Sequence, residues 1–380
     1  MDRGSLMDFL QTFVSQWNNA LAVVVVLGAL IFFHELGHFM MARILGIGVK
    51  TFSLGFGPKI FTIGKRKTKY SLSLIPLGGY VSLAGEEDED ENKKIEQSSQ
   101  ITDELFLPTE KFSNRPPWHR LLVVLAGPVA NILLAFFIYW GVSWVQGSTF
   151  LLPIIGTITE NSPAEHAGLL PGDIITRVDG MPVSQWDQVA EYIAESQGNE
   201  VTITLSRDDK LLEFRLTPEE KSRTNLFGEK KPAWLIGISA QGDIETRPLS
   251  FLAASVTGLK KTWFSISFTC ESLLKLFQKV VPLDSIGGPI LIAQLVGQQA
   301  NAGIIPLLLL TALISINLGV LNLLPIPILD GGHVVFLLLE MIFQRPISPF
   351  IKTVSMRIGI VLLLSLMVFA TWNDIMRLVS

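Results

Sequence analysis

Along the 380 residues, long apolar runs alternate with stretches in which apolar and polar positions change over at every second residue. Runs of the first kind, from Ala20 to Leu45, Leu121 to Val145, Ile304 to Leu324 and Ile358 to Trp372 with its flanks, reach or approach the ~20 residues a helix needs to cross a bilayer. They predict four membrane-spanning helices. Between the second and third runs, Ile154 to Thr159, Ile174 to Val178, Val201 to Leu205 and Leu211 to Leu216 show period-two or β-branched strand patterns, and Asp187 to Ser196 reads as a helix. Together they predict a compact soluble α+β module. Phe52 to Phe61 and Tyr70 to Val81 alternate around Gly55, Gly57-Pro58 and Gly78-Gly79 and predict a β-hairpin. Pro248 to Lys279 mixes large apolar residues with Lys260, Lys261, Lys275 and Lys279, the pattern of an amphipathic helix lying at the membrane interface; a fifth span is the alternative.

Composition agrees with several spans plus one soluble module, since 49% of the residues are hydrophobic and only 17% charged. The first run carries His and Glu and exceeds a usual signal-peptide core, so it is expected to remain as a span. Lys50, Lys59, Lys65, Arg66, Lys67, Lys69, Lys111 and Arg115 fill the loop between the first two spans, and Arg345 and Lys352 precede the last, which assigns both loops to the cytoplasm. Both termini and the soluble module then fall outside. The chain divides into 1–48, the first span; 49–118, a cytoplasmic loop with the hairpin; 119–146, the second span; 147–242, the outer module; 243–303, the interfacial segment; 304–343, the third span with a broken end; and 344–380, a loop and the fourth span. The acidic run Glu86 to Glu91 reads as solvated loop. A net charge of −4 gives no footprint for nucleic acid, and the single cysteine, Cys270, excludes an intrachain disulfide and reads as apolar filler.

Chemistry enters at Phe33-His34-Glu35-Leu36-Gly37-His38, in the middle of the first run. On a helix, His34 and His38 share one face and can hold zinc, while Glu35 stands where a general base is needed. Each ionisable group near a bilayer centre costs roughly 2.5–3.5 kcal/mol on insertion scales, so three within five residues call for something to coordinate. Catalytic zinc usually has three protein ligands. Asp330, in the Asn322 to Gly331 element with helix-breaking Pro325 and Pro327, is the acid set most closely among apolar residues. Asn322 is a candidate for binding a substrate backbone, Asn317 reads as helix–helix glue, and His333 as a supporting or structural residue rather than a ligand. A silent membrane scaffold and a zinc transporter are the rival readings.

Asn161-Ser162-Pro163-Ala164, Ala167-Gly168-Leu169, Pro171-Gly172-Asp173-Ile174 and Val178-Asp179-Gly180 resemble a PDZ domain of the bacterial protease type, which implies a peptide-binding groove between a strand and a helix. With the His-Glu helix, Pro76-Leu77-Gly78-Gly79-Tyr80-Val81, Gly127-Pro128-Val129-Ala130-Asn131 and the Asn322 to Gly331 element, nearly the whole chain resembles the site-2 proteases, specifically the RseP-like bacterial zinc metalloproteases that cut within membrane-spanning segments. It departs from their best-known members in having one PDZ module instead of a tandem pair. The resemblance implies His34, His38 and Asp330 as ligands of Zn2+, Glu35 as catalytic acid/base and Asn322 as a substrate contact. It also implies a membrane-re-entrant hairpin that offers an edge, around Gly78 and Gly79, to an extended substrate. Implied substrates are transmembrane proteins, anti-sigma factors or signal-peptide remnants, in contact with lipid in a bacterial inner membrane.

Overall fold

The computed structural model describes residues 3–64, 67–86 and 105–379, with side chains described from residue 19 onward except at 56 and 75–77. Beyond Glu86, the acidic run lies outside the described residues, as do Lys65 and Arg66. The chain forms two compact units, one made of 1–142, 257–273 and 282–380 and the other of 143–256 and 274–281.

The first unit is helical. Its elements are α1 (Arg3–Ile44), the strands β1 (Val49–Ile63) and β2 (Lys69–Leu83), and α2 (Pro117–Gln146), followed after the second unit by the inner part of α5 (Phe251–Phe277), α6 (Pro289–Ala302), α7 (Ile304–Asn322), α8 (Asp330–Phe343) and α9 (Pro349–Val379). Among the described residues, four stretches are long and apolar enough to cross a membrane: Asn19–Ile44 of α1, α2, α7 and α9. The last is longer than its apolar core suggested, because polar and charged flanks continue the helix from Pro349 to Val379.

Small residues set the helix spacing. A Cβ at Gly37 of α1 would collide with the Ala126 carbonyl of α2, and one at Gly319 of α7 would lie 3.0 Å from the Pro128 carbonyl. Backbones that approach this closely are how helices associate where lipid leaves no hydrophobic drive between them. Around these crossings, Val26 and Leu30 of α1 pack with Val296 of α6. Ala135 and Tyr139 of α2 pack with Ala312, Ile316 and Val320 of α7. Asn317 accepts a hydrogen bond from Thr269 of α5 at 2.7 Å, the helix-joining use anticipated for it.

Thr51–Leu54 of β1 is paired on one side with Gly79–Ser82 and on the other with Lys69–Leu72, so the hairpin folds back on itself rather than running flat. Among the described residues this leaves the outer side of Gly79–Ser82 without a strand partner. The break between α7 and α8 follows from Pro325 and Pro327, which lack the amide hydrogens a helix needs. Gly331 and Gly332 let α8 start against that same loop, since a Cβ on either would meet the carbonyls of Leu323, Leu324 or Ile326.

The second unit holds β3 (Ser148–Leu151), β4 (Ile155–Ile158), α3 (Pro163–Ala167), β5 (Ile174–Val178), β6 (Met181–Pro182), α4 (Trp186–Glu195), β7 (Val201–Arg207), β8 (Lys210–Leu216), β9 (Glu219–Thr224), β10 (Lys230–Leu235), β11 (Ile238–Ala240) and β12 (Ile244–Arg247). Its main sheet runs β6-β5-β7-β8, flanked by the pairs β4–β11, β3–β12 and β9–β10. Alternation in β7 buries Val201, Ile203 and Leu205 against Val189 and Ile193, one turn apart on α4. Asp179 and Gly180, both with positive φ, make the tight turn from β5 to β6. Asp173, almost wholly buried, grips Arg207 through both carboxylate oxygens at 2.7 and 2.6 Å. Strands β9 to β12 escaped the hydrophobic pattern because β9 is exposed along its whole length and so has no buried face to alternate with.

Asp374 near the end of α9 is 1% exposed and accepts from the backbone amides of Gly288, Ile290 and Leu291 at 2.9–3.0 Å, capping α6 from another helix. Asp374→Ala should lower stability by about 1–2 kcal/mol, read as a lower melting temperature in detergent. Asp374→Asn, which keeps one acceptor oxygen, should lose less, and an equal loss in the two variants would contradict the capping role.

Candidate metal centre

His34 and His38 lie one turn apart on α1, with their Nε2 atoms 3.3 Å from each other. Asp330, the first residue of α8, reaches both, with Oδ2 3.1 Å from His34 Nε2 and Oδ1 3.6 Å from His38 Nε2. Among the described residues these three form the one group of His, Cys, Asp and Glu side chains close enough to share a metal ion. Zinc–nitrogen bonds of ~2.0–2.1 Å at tetrahedral angles separate two ligand atoms by about 3.3 Å, so the spacing fits that ion.

Protonation agrees with the fit. His38 Nδ1 stands 2.8 Å from the Val123 carbonyl, which can only accept, so Nδ1 carries the hydrogen and Nε2 presents a bare lone pair. Asp330 Oδ2 is buried and has no hydrogen-bond donor. Two imidazole lone pairs and a carboxylate oxygen at this distance repel one another unless a cation lies between them. Aspartate at the first position of a helix also benefits from the positive end of the helix dipole.

Three residues of α2 surround the pair at helical spacing: Val123, Gly127 and Asn131, each four positions apart. Asn131 is fully buried and its amide lies 3.2 Å from His34 Nδ1. Its Oδ1 has no partner as oriented. Turning the amide over gives Oδ1 the hydrogen of His34 Nδ1 and frees Nε2 for metal, the usual arrangement behind a ligating histidine. At Gly127, a Cβ would collide with the metal-facing edges of both imidazoles, so only glycine fits. The sequence pattern around Gly127 by itself assigns neither role. Their spacing, equal to that of His34 and His38, is the signal that two helices face each other across one site.

A largely buried ion pair between Arg120 and Glu340 joins α2 to α8, and so ties the helix that supports the histidines to the helix that begins with Asp330. Asn322, at the end of α7, brings its amide to 3.4 Å from His34 Nε2. Glu35 lies beside β2: a Cβ at Gly79 would stand 3.4 Å from its Cγ and 2.8 Å from the Ser53 carbonyl. Gly78 has φ +147°, a conformation side chains resist. His333 is exposed and outside the cluster, and Cys270, expected to fill apolar space, is exposed on α5.

The family model described as "Peptidase family M50" matches residues 22–366. The chain belongs to peptidase family M50. A relative of this M50 peptidase in Agrobacterium fabrum, named as a zinc metalloprotease, is 37% identical over 362 residues, covering 94% of this chain and 95% of the relative. The "Regulator of sigma-W protease RasP" of Bacillus subtilis is 31% identical over 95% of this chain and 99% of its own length, and the "Zinc metalloprotease RasP" of Bacillus licheniformis matches to the same extent. Among solved structures, the PDZ domain of the SdrC-like protein of Listeria monocytogenes matches 23% of this chain and 84% of its own, at 23% identity and a TM-score of 0.19. The M50 chain is thus a zinc metalloprotease of the site-2 type.

Removing the α2 supports should weaken metal binding without touching a ligand. Asn131→Ala is expected to lower zinc affinity about 10–100-fold, and Gly127→Ala at least as much, in competition with a chromophoric chelator. Wild-type affinity in both would show that α2 does not shape the site.

Proposed function

We propose that this M50 peptidase hydrolyses peptide bonds within membrane-spanning segments of other proteins. The observation that carries this reading is the convergence of His34, His38 and Asp330, with Glu35 beside them, on a helix long and apolar enough to cross a membrane. His38 lies six residues, about 9 Å, before the end of α1, within reach of cytoplasmic water under the orientation set by the basic loops.

In this mechanism His34, His38 and Asp330 hold the zinc. When bound, the ion supplies Lewis acidity toward the scissile carbonyl and toward a water molecule. Glu35 takes a proton on a carboxylate oxygen from the attacking water as the water oxygen bonds to the scissile carbonyl carbon, and returns it to the amine nitrogen as the C–N bond breaks. Hydrolysis needs an extended substrate, because a helix shields its own peptide bonds and must find other backbone partners once unwound. Gly79–Ser82 of β2, which has no second strand beside it among the described residues, offers an edge for that strand, and the Gly78-Gly79 pair keeps the approach to Glu35 clear of side chains. The Asn322 amide donates to the substrate backbone beside the metal.

The protein works in a bacterial cytoplasmic membrane, with the 147–242 module a PDZ-type domain on the outer side that selects or excludes substrates. Its substrates are transmembrane regulators of the anti-sigma class; the name of the Bacillus subtilis relative as a regulator of sigma-W supports that class over signal-peptide remnants.

Glu35→Gln should reduce cleavage of a membrane-embedded model substrate by roughly 10²–10⁴-fold while zinc content by elemental analysis stays near one per chain. Asp330→Ala should lose both zinc and cleavage. Substantial cleavage by the Gln variant would remove Glu35 as the base, and zinc binding without wild-type cleavage of any transmembrane substrate would favour a scaffold. Separately, Gly79→Ala should lower kcat/KM with zinc retained, and unchanged turnover would argue against the β2 edge as the substrate's partner.

A further inference from the structure

Strands β9 and β10 form a hairpin whose first strand is exposed along its whole length. At its base, Trp234 packs so close to Gly198 that a Cβ there would meet the indole ring. At its tip, 225–229, the Asn225 Oδ1 accepts from the Phe227 and Glu229 amides at 2.9 Å while Nδ2 donates to Glu229 Oε2. The loop is thus held in one shape, and that shape turns Leu226 outward, 83% exposed. An ordered loop that presents a bare leucine suits an apolar neighbour outside the protein.

The end of α5 lies beside this tip. Lys275 donates to Glu229 Oε1 at 2.8 Å, and on either side of it Leu274 and Phe277 are exposed, Phe277 by 76%. Residues 274–281 belong to the second unit, as do 251–256, so both ends of α5 belong to it although the helix is about 40 Å long. A helix that crossed a membrane would carry its far end to the other side. Instead α5 lies along the membrane surface, where its mixture of large apolar residues and lysines is at home. Its first residue, Phe251, meets Trp144 in the last turn of α2 edge-on at 5.5 Å, at the level where that span leaves the lipid.

Charge decides which surface the tip suits. Residues 221–231 hold Lys221, Arg223, Lys230 and Lys231 with one acid, Glu229, and 274–281 add Lys275 and Lys279 with none. Lys231 and Lys275 share Glu229, and Lys221 pairs with Glu219 at the hairpin base. With Glu220 included, six cations still outnumber three acids. The turn from β7 to β8 gives the contrast: Leu211 there is 71% exposed, but Asp208 and Asp209 outweigh Lys210 beside it. We propose that the β9–β10 tip inserts Leu226 into an anionic lipid surface, with Leu274 and Phe277 beside it, and so docks the second unit on the membrane. The cations reach headgroup phosphates while their stems cover the apolar contact. The assignment uses none of the peptidase chemistry.

Full-length protein would carry a nitrobenzoxadiazole probe at Leu226→Cys or, as control, at Leu211→Cys, each in a Cys270→Ser background, in nanodiscs of phosphatidylcholine containing phosphatidylglycerol. Phosphatidylcholine with a doxyl group near the headgroup should quench the probe at 226 about twofold more than the probe at 211, and aqueous iodide should quench in the reverse order. Arg223→Gln with Lys230→Gln should lower the ratio of inserted to free tips by roughly tenfold, and nanodiscs of phosphatidylcholine alone should do the same. Melting temperature and zinc content check that each variant is folded. Equal doxyl quenching at the two positions would overturn the proposal. Shielding of the probe at 226 from both quenchers would also overturn it, assigning the tip to a protein partner. So would insertion that survives the paired Gln variant and the loss of phosphatidylglycerol.

Discussion

Two imidazole nitrogens and a carboxylate held 3.1–3.6 Å from one another, largely buried among helices, are tolerable only with a cation between them. Much of the first unit can be read from that constraint. Gly37 brings the backbones of α1 and α2 into contact and Gly127 leaves room for the two imidazoles, so that the histidines find Val123 and Asn131 behind them. The prolines after Asn322 end α7 and allow a new helix to start, whose first residue is the carboxylate the histidines need. The Arg120–Glu340 pair then fixes the two supporting helices to one another. A buried pair of this kind adds little net stability, because desolvation offsets its attraction, but breaking it by removing one partner costs several kcal/mol. It is therefore better understood as setting geometry than as holding the fold together.

The hairpin answers a second constraint, that irregular backbone in a membrane protein must be satisfied by other protein or by water. By folding back on itself it pairs Thr51–Leu54 on both sides and, among the described residues, leaves Gly79–Ser82, near Glu35, with no second strand beside it. An open strand edge is a hazard on a soluble protein. In the proposed mechanism it is the feature an unwound substrate requires.

Several of these features were legible in the sequence because each had a strong local cause. The His-Glu helix, the four apolar runs, the Asp330 turn with its two prolines and the alternating β5, β7 and β8 strands follow from spacing, length and burial pattern. What escaped was non-local. The roles of Asn131 and Gly127 depend on which helix faces α1, and one polar residue in an apolar run does not state its partner. Asp374 caps a helix more than 80 positions earlier, a partnership that no local pattern states. Strands β9 to β12 lack an apolar stripe, and the folding back of the hairpin depends on pairings that alternation alone does not specify.

The central claim, hydrolysis inside a transmembrane segment at the His34–His38–Asp330 site, is tested most directly by locating the cut. Zinc-loaded protein would be co-reconstituted in proteoliposomes with a substrate bearing a single apolar span, and the products sequenced by mass spectrometry. A new terminus inside the span, about 9 Å from its cytoplasmic end as the position of His38 on α1 requires, is the predicted result. A terminus in the soluble flanks, with the span intact, would contradict it.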